Sequence, residues 1–378
     1  MHDVVVVGGG PVGLYTALLL RRAGLDAVVL ERRTERSSHS RAIGIHPPAL
    51  RALEIDGIAD ELRARGVRIR DGVARSAGRH VGTISFSTLP GAEKYVLAVP
   101  QAVTEAILER SLEKDHAGCL RRGVSVLGIE EQDDHVRIST LAEGKEAVLS
   151  ARLLVAADGA RSSVREDAGI SAAARRYPDC YVMGDFHDGT ADGDDAVLYL
   201  EAGGIVESFP LPGRVRRWVV RLGEPMARPT VEALASLVEQ RTGVLVDPAT
   251  NSMLSSFEVQ SRLADRFVSG RTVLVGDAAH EISPIGGQGM NLGWLDAVEL
   301  VPIITASLRD GRDVGKRLRR YEKERRARAV SARLKAQVNM ALGRPLPSLL
   351  LRPRNAVLGA LIENRTVHRG VARAFTMQ

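Results

Sequence analysis

A glycine-rich turn near the start of the chain carries the residue types that hold a dinucleotide. Residues 8–13 read Gly-Gly-Gly-Pro-Val-Gly and fit the pattern GxGxxG. In this pattern Gly8 permits a tight turn, Gly10 lets the backbone approach a pyrophosphate, and Gly13 lets a helix pack closely on a strand. The helix that follows begins with Pro11 and Val12, and its N-terminus attracts the pyrophosphate.

The elements around this turn must be a strand, a helix and a second strand. Val4–Val7 is typical of a buried strand, Pro11–Arg22 of a helix, and Ala27–Leu30 of the next strand. This order demands a parallel pair joined by a right-handed crossover. Glu31, followed by Arg32, ends the second strand, about where an acid that binds ribose hydroxyls is expected. A plain glycine-rich turn would not explain Glu31, so we predict a dinucleotide-binding unit.

Two later segments also end a buried strand in glycine and aspartate. Residues 152–165 read RLLVAADGARSSVR, with Asp158 at the end of the strand. Residues 271–300 read RTVLVGDAAHEISPIGGQGMNLGWLDAVEL; here a strand ends at Asp277, a loop rich in proline and glycine follows, and a helix is expected to begin near Gly289.

The rest of the chain supplies further elements. Helical spacing of apolar residues occurs over Pro47–Arg65 and Gln101–Lys114. Val124–Ala157 predicts three strands in a meander, and Tyr177–Arg221 predicts short strands of a separate antiparallel sheet. Arginine-rich helical segments close the chain.

The three glycine motifs together resemble the single-component, class A FAD-dependent monooxygenases, which include para-hydroxybenzoate hydroxylase and aromatic polyketide hydroxylases. The likeness extends to Ser40-Arg41-Ala42-Ile43-Gly44, to Val99-Pro100-Gln101 and to Tyr321-Glu322-Lys323-Glu324-Arg325. It implies an α/β (α+β) fold: a Rossmann-like FAD-binding domain, a mostly antiparallel sheet in the substrate domain, and C-terminal helices.

The resemblance also implies the contacts of a non-covalent FAD. Glu31 and the glycines of the first motif would hold its ADP half, Arg41 would lie near the pyrophosphate, and Gln101 would contact the cofactor. Asp158 would lie between the pyrophosphate and the route of NAD(P)H, and Asp277 would bind the ribitol chain. The backbone N–H groups from Gly286 to Asn291, including those of Gly287, Gly289 and Met290, would face the pyrimidine edge of the flavin, because N–H groups at a helix start stabilise negative charge on the reduced ring.

The chemistry implied is hydroxylation of an aromatic or polyketide-like small molecule. NAD(P)H would reduce the flavin, and O2 would form a C4a-hydroperoxide whose distal oxygen attacks the substrate. Pro284 would border the flavin face where oxygen reacts, with Gly287 and Gly289 completing the catalytic loop. His280, which follows Asp277 closely, is expected to support this loop rather than to act as an acid or base.

The expected FAD-binding domain is discontinuous and comprises residues 1–72, 97–175 and 256–340. The middle, substrate-binding domain comprises residues 73–96 and 176–255, and residues 341–378 form a C-terminal helical segment. The substrate would lie between the middle sheet and the flavin. Because neighbouring residues of a strand face opposite sides, about half of the candidate wall residues must point away. The candidates are Tyr181, Met183, Tyr199, Phe209, Leu211, Trp218 and Arg221.

Three other functions use a related domain. A flavin-dependent halogenase would carry a WxWxIP segment, but Trp218 and Trp294 are isolated. A prenyl reductase would show its own middle-domain signature, which is not visible. A flavin-binding regulator without turnover would not need the loop from Pro284 to Asn291.

Composition restricts the remaining possibilities. A hydrophobic fraction of 44% and a charged fraction of 26% are typical of a soluble globular protein, and no run reaches the ~18 apolar residues of a membrane span. The net charge is +6, but the dense basic cluster from Arg317 to Arg333 lacks aromatic stacking residues, so a solvated helix is expected and not nucleic-acid binding.

Cys119 and Cys180 form no CxxC pair, which favours the reducing cytoplasm. The acidic run from Asp185 to Asp195 is interpreted as a solvated hairpin tip, and no metal site is expected. The terminal helices are expected to pack on the core, membrane contact is not expected, and the oligomeric state is left as monomer or homodimer.

Overall fold

The structure is a computed structural model that describes residues 1–36 and 42–378. In chain order its strands are β1 (His2–Val7), β2 (Ala27–Glu31), β3 (Gly44–Ile45), β4 (Val67–Ile69), β5 (Asp71–Ser76), β6 (Arg79–Ser85), β7 (Val96–Ala98), β8 (Leu120–Arg122), β9 (Val124–Glu131), β10 (Val136–Ala142), β11 (Lys145–Ala156), β12 (Ala172–His187), β13 (Ala196–Tyr199), β14 (Val206–Leu211), β15 (Val215–Leu222), β16 (Met253–Ala264), β17 (Val268–Ser269), β18 (Thr272–Leu274) and β19 (His280–Glu281). The helices are α1 (Pro11–Arg22), α2 (Pro47–Ala52), α3 (Ile58–Arg65), α4 (Gln101–Asp115), α5 (Ser163–Asp167), α6 (Val231–Thr242), α7 (Gly289–Leu308), α8 (Gly315–Leu342), α9 (Ser348–Glu363) and α10 (Arg365–Phe375).

The first sheet has the order β17-β18-β11-β1-β2-β8 and carries the dinucleotide motif. Strands β2 and β11 both pair with β1 in parallel, as the β-α-β pattern requires. β18 joins in parallel beside β11. The carboxyl ends of β1, β11 and β18 therefore meet at one edge, and this edge carries Gly8, Asp158 and Asp277. The predicted meander is confirmed, because β9, β10 and β11 pair antiparallel.

The second sheet has the order β19-β16-β12-β15-β14-β13-β5-β6. Its pairs are antiparallel except β13 with β5, which confirms a mostly antiparallel second sheet. The long strands β12 and β16 pair over most of their lengths. A third sheet is formed by β3, β7 and β4.

Helix α7 packs against α1 and α2. Its buried residues share an apolar cluster with α1 and β2, to which Leu14, Leu18, Val29 and Leu300 belong. Trp294 adds a polar connection, because its Nε1 donates a hydrogen bond of 3.0 Å to the carbonyl oxygen of Pro11. The third glycine motif is thereby fixed against the first.

The terminal helices α9 and α10 pack on the second sheet. Ile362 and Phe375 join an apolar cluster with Ile84 of β6 and Leu211 of β14. The opposite side of α9 is exposed, with Leu349 86% accessible. No helix of the described residues is long and apolar enough to cross a membrane.

Two details differ from the sequence-based expectations. The helical stretch from Pro47 to Arg65 is broken into α2 and α3, because Asp56 and Gly57 adopt positive φ angles of 50° and 72°. The acidic run after β12 is not simply solvated: Asp188 pairs with the buried Arg216 at 2.9 Å, and Asp192 pairs with Arg75 at 2.6 Å. Arginines of the neighbouring strands thus pair with two aspartates of this hairpin.

Candidate functional site

One large cavity lies between the first and second sheets. Its volume of about 1310 Å³ exceeds the ~300–1,000 Å³ typical of a pocket for one drug-sized ligand. At one end its wall contains Gly8, Gly10 and Glu31; at the other it contains Met183 and Phe209. The cavity is therefore long enough to bring the dinucleotide motif and the middle sheet into one site.

The three glycines of the first motif are needed for different reasons. A Cβ on Gly8, whose φ is +108°, would lie 2.3 Å from the carbonyl oxygen of Ala157, and a Cβ on Gly13 would lie 1.9 Å from that of Gly8. A Cβ on Gly10 would meet no protein atom within 4 Å. Packing of the protein itself thus explains Gly8 and Gly13, while Gly10 leaves open space at the start of α1. A pyrophosphate would occupy such space at a helix N-terminus.

Glu31 is held beside this turn. Its Oε2 accepts a hydrogen bond of 2.7 Å from the backbone N–H of Gly9, and its Oε1 accepts two of 2.9 Å from Arg33. Burial opposes ionisation, but these hydrogen bonds outweigh it and lower the pKa of Glu31. An ionised, oriented carboxylate is what ribose hydroxyls require. Arg32 also lines the cavity, whereas Arg41 lies outside the described residues.

Asp158 follows β11 directly at the cavity wall. Its Oδ2 accepts a hydrogen bond of 3.3 Å from the N–H of Val164, at the start of α5. Its Oδ1 is buried and has no hydrogen-bond partner among the described residues. Burial raises the pKa of this carboxyl group. An orphaned buried acceptor at this edge fits a site that takes a hydrogen-bonding ligand.

The loop from Pro284 to Gln288 enters α7 along the cavity. Gly286 and Gly287 have φ angles of +98° and +64°, which favour glycine. The N–H of Gly287 donates 2.9 Å to the carbonyl oxygen of Pro284, so it is occupied, contrary to the expectation that it faces the flavin. The N–H groups without an acceptor inside the helix belong to the first residues of α7: Gly289, Met290 and Asn291.

The side chain of Asn291 has a structural role that the sequence does not predict. It is fully buried and does not line the cavity. Its Oδ1 accepts 2.8 Å from the N–H of His46, and its Nδ2 donates 2.9 Å to Gly44 and 2.8 Å to Gly287. The amide side chain therefore fastens the loop to β3 and α2, and only the backbone N–H of Asn291 remains as a candidate ligand.

Asp277 and Gly289 face each other at the same edge. A Cβ on Gly289 would lie 3.6 Å from Oδ1 of Asp277, an ordinary contact. The side chain of Asp277 is exposed, because it faces the open cavity. Desolvation by the protein around the cavity nevertheless raises the pKa of Asp277 to about 6. Gln101, the first residue of α4, also lines the cavity, and its Nε2 donates 2.8 Å to Glu105.

His280 is part of a buried ion-pair network behind the loop. Its Nε2 lies 2.6 Å from Oδ2 of Asp296, whose Oδ1 accepts 2.6 Å from Nε of Arg325. Asp296 also accepts 3.0 Å from the N–H of Gly276. His280 does not line the cavity. The Tyr321–Arg325 stretch is thus connected to the third motif, and His280 supports it.

The middle sheet divides the seven candidate wall residues. Met183 and Phe209 line the cavity. Tyr199 and Trp218 belong to the opposite face, where they pack with Leu234 and Val238 of α6, which corrects their expected wall position. Three more do not reach the cavity surface: Tyr181, which stacks on Phe257, Leu211, which packs near β6, and Arg221, which pairs with Asp179.

Sequence reasoning missed Glu207 of β14, which lines the same wall as Phe209. The segment Val206–Leu211 alternates no more clearly than its neighbours, so only the strand register reveals its direction. No group of three or more residues suited to a metal ion occurs in the described part of the chain.

Comparison with known proteins agrees with this geometry. The family model described as FAD binding domain matches residues 1–335. Rifampicin monooxygenase from Streptomyces venezuelae is 32% identical over an alignment 389 positions long, covering 100% of this chain and 78% of that protein. Para-nitrophenol 4-monooxygenase from Pseudomonas sp. is 32% identical, covering 86% of this chain and 83% of that protein.

A solved structure shows the same fold. That of p-nitrophenol 4-monooxygenase from Pseudomonas putida superposes with a TM-score of 0.90 at 27% identity, covering 100% of this chain and 98% of that one. The first glycine motif lines a cavity, and the family model matches most of the chain. This chain therefore belongs to the class A FAD-dependent aromatic monooxygenases.

Proposed function

We propose that the protein binds FAD non-covalently along this cavity and uses NAD(P)H and O2 to hydroxylate an aromatic or polyketide-like small molecule. The observation that carries the proposal is the continuity of the cavity, from the open space at Gly10, past the start of α7, to the wall at Phe209. A cofactor lying along it would present one end to the dinucleotide motif and the other to the middle sheet.

We propose a cofactor contact for each of the candidate residues at the carboxyl ends of the strands of the first sheet. Glu31 binds ribose hydroxyls with its oriented carboxylate, and Gly10 gives the pyrophosphate access to the N-terminus of α1. Asp277 accepts hydrogen bonds from the ribitol chain. We keep Asp158 on the route of NAD(P)H, because its Oδ1 has no partner among the described residues. Gln101, Arg32 and Arg41 are kept as further cofactor contacts.

The N-terminus of α7 is proposed to stabilise negative charge on the reduced ring. The free N–H groups there and the positive end of the helix dipole are worth ~0.3–2 kcal/mol for such a charge. Pro284 borders the flavin face where oxygen reacts, and Gly286 allows the backbone to come close to the ring. The ion pairs of Asp296 and the amide of Asn291 hold this loop from behind.

When bound, FAD would supply redox chemistry in which two electrons from NAD(P)H and one atom of O2 are used to hydroxylate the substrate, the other oxygen atom being released as water. The chain binds the ring, orients it and excludes water. Met183 and Phe209 supply apolar surface for this purpose. We propose that residues 73–96 and 176–255 form the substrate domain, residues 1–72, 97–175 and 256–340 the FAD-binding domain, and residues 341–378 the C-terminal helical segment.

The cellular setting and assembly are also proposals. The two cysteines of the chain are free and buried, which supports a reducing cytoplasm. We propose a monomer or a homodimer.

Purification followed by reduction tests the function. The protein should be yellow, and heat or acid should release a cofactor that runs as FAD. NAD(P)H should bleach it under anaerobic conditions, and aromatic compounds should accelerate NAD(P)H oxidation in air. A cofactor that stays attached covalently, or FAD that no pyridine nucleotide reduces, would contradict the proposal.

A further inference from the structure

Glu207 lies in an apolar row of the second sheet that faces the cavity. In the strand register it is opposite Leu198 of β13 and Val219 of β15. Leu198 is opposite Ala74, and Val219 is opposite Met183. Residues opposite each other in register share a face of the sheet. The cavity-lining residues of this row are Gly82, Ala74, Leu198, Glu207, Val219 and Met183, among which Glu207 alone is ionisable.

The row lies against the loop that precedes α7. Ile285 belongs to the same apolar cluster as Met183 and Val219. Pro284, the adjoining residue, lines the cavity together with Glu207. The carboxyl group of Glu207 would therefore line the site of a ring that lies between this loop and the sheet.

The carboxyl group has no hydrogen-bond or ion-pair partner among the described residues, although Glu207 is only 8% exposed. The two arginines of β15 that lie closest to Glu207 in register are already paired. Arg217 makes two hydrogen bonds to Asp185, of 2.7 and 2.8 Å, and Arg221 pairs with Asp179 at 3.0 Å. A buried carboxylate without a partner is costly, so its retention in a cavity indicates a ligand that completes it.

Burial raises the pKa of Glu207 to about 7. Burial, and to a smaller extent the charge of Glu207, raises the pKa of Tyr181. The ionisable groups on the neighbouring strands and on the other elements that wall this side are Asp179, Tyr181 and Asp185 of β12, Arg217 and Arg221 of β15, Glu258 of β16, Glu281 of β19, Lys335 of α8, and Arg344, which pairs with Asp179. Arg217 and Arg221 are paired with Asp185 and Asp179 and do not pair with the carboxyl group of Glu207.

We propose that Glu207 is the polar anchor of the substrate site, and that it binds a ring hydroxyl group of the substrate and accepts its proton. The O–H bond of the substrate breaks, its electron pair stays on the substrate oxygen, and the proton forms an O–H bond on the carboxylate. The ring then carries more electron density at the position that receives oxygen. The total charge in the cavity is unchanged, because one anion replaces another. This assignment rests on the proposed function and adds the residue, on β14, that recognises the hydroxyl group of the substrate.

The test uses the FAD-loaded protein and pairs of ligands that differ only in the donor. The probes are phenol, 2-naphthol and 4-methylphenol, each with its O-methyl ether, and binding is followed by the change in flavin absorbance between pH 5.5 and 9. The variants are Glu207→Gln and Glu207→Asp. The control is Glu239→Gln, an exposed residue of α6, which covers the opposite face of the sheet.

Wild type and Glu239→Gln should bind phenols at least tenfold more tightly than the ethers, and this preference should develop as the pH rises through 7. Glu207→Gln should lose the preference and its pH dependence while still binding the ethers. Glu207→Asp, which keeps a shorter carboxylate, should retain part of it. Equal binding of phenols and ethers by the wild type, or an undiminished preference in Glu207→Gln, would overturn the role of Glu207.

NAD(P)H oxidation separates this role from the proposed function. If ethers accelerate oxidation as well as phenols do, the role of Glu207 fails and the monooxygenase function stands. If no aromatic probe binds or accelerates oxidation in any of the proteins, both proposals fail.

Discussion

The backbone N–H of Gly9 donates a hydrogen bond of 2.7 Å to Oε2 of Glu31, which joins the glycine turn to the end of the second strand. The contact orients the carboxylate before any ligand arrives, and Arg33 keeps it ionised. Preorganisation of this kind lowers the entropy that binding must overcome.

Replacement of Glu31 by Gln should therefore weaken FAD binding while leaving the chain folded. We expect a loss of about tenfold in affinity, which corresponds to roughly 1.4 kcal/mol. Titration of the apoprotein with FAD measures it. Glu130→Gln, at an exposed ion pair with Arg137, is the control and should bind FAD as the wild type does. Unchanged affinity in Glu31→Gln would remove Glu31 from the cofactor site.

Gly10→Ala should impair FAD binding without destabilising the fold, whereas Gly13→Ala should destabilise the fold. Gly10→Ala meets no protein atom within 4 Å, so the apoprotein should keep its unfolding free energy within about 0.5 kcal/mol, yet the methyl group should keep the pyrophosphate away. Gly13→Ala would place a Cβ 1.9 Å from the carbonyl oxygen of Gly8 and should destabilise the apoprotein itself. Urea unfolding and FAD titration together separate the two effects. A Gly10→Ala protein that retains FAD normally would contradict the placement of the pyrophosphate.

Asp158→Asn should slow reduction of the flavin by NAD(P)H more than it weakens retention of FAD. Asn is preferred to Ala here because its Oδ1 can still accept the hydrogen bond from Val164. Stopped-flow reduction of the FAD-loaded variant measures the rate, with Asp134→Asn, an exposed position, as the control. Reduction at the wild-type rate would exclude Asp158 from the route of NAD(P)H.

Asp296→Ala should destabilise the fold by about 3–5 kcal/mol, because it leaves the buried Arg325 and His280 without their shared partner. The exposed pair of Asp310 and Arg312 offers a comparison, since Asp310→Ala should change the unfolding free energy by no more than ~1 kcal/mol. Chemical denaturation measures both. Equal effects would show that the network behind the loop is not a source of stability.

Glu207→Gln should make the protein more stable, and increasingly so as the pH rises. The pKa of Glu207 is about 7 in the folded chain, above the ordinary 4.5, so the folded state holds the proton more tightly. The wild type therefore loses stability between about pH 4.5 and 7 as the buried group ionises, whereas the variant has no such loss. Above pH 7 the gain should be of the order of a few kcal/mol. Thermal unfolding of wild type and variant at pH 5 and pH 8 tests this, and a gain that does not grow with pH would place Glu207 in contact with a partner.

The sequence predicts the first sheet better than the second for a physical reason. β1, α1 and the start of α7 are set by local apolar runs and by glycines, so their residues appear within one short window. The direction of Tyr199 or Trp218 depends instead on pairing between strands far apart in the chain. The partnership of Asp296 with Arg325 and the lack of a partner for Glu207 depend on that tertiary arrangement too. Alternation alone predicts that half of the wall candidates face away, but not which half.

The cavity wall also fixes the order in which the site can be assembled during synthesis. Gly8 and Glu31 are made first, yet Val371 and Phe375 of α10 line the same cavity, and Nε2 of Gln288 donates 3.1 Å to the carbonyl oxygen of Ala374. A ribosome releases the chain from its N-terminus, and early segments begin to fold while later ones are still being made. The β-α-β unit can therefore form as a nascent fragment, whereas the part of the cavity wall that α10 supplies is added only after α10 has emerged. We therefore expect tight retention of FAD to depend on docking of α10 as well as on folding of the motif that recognises the dinucleotide.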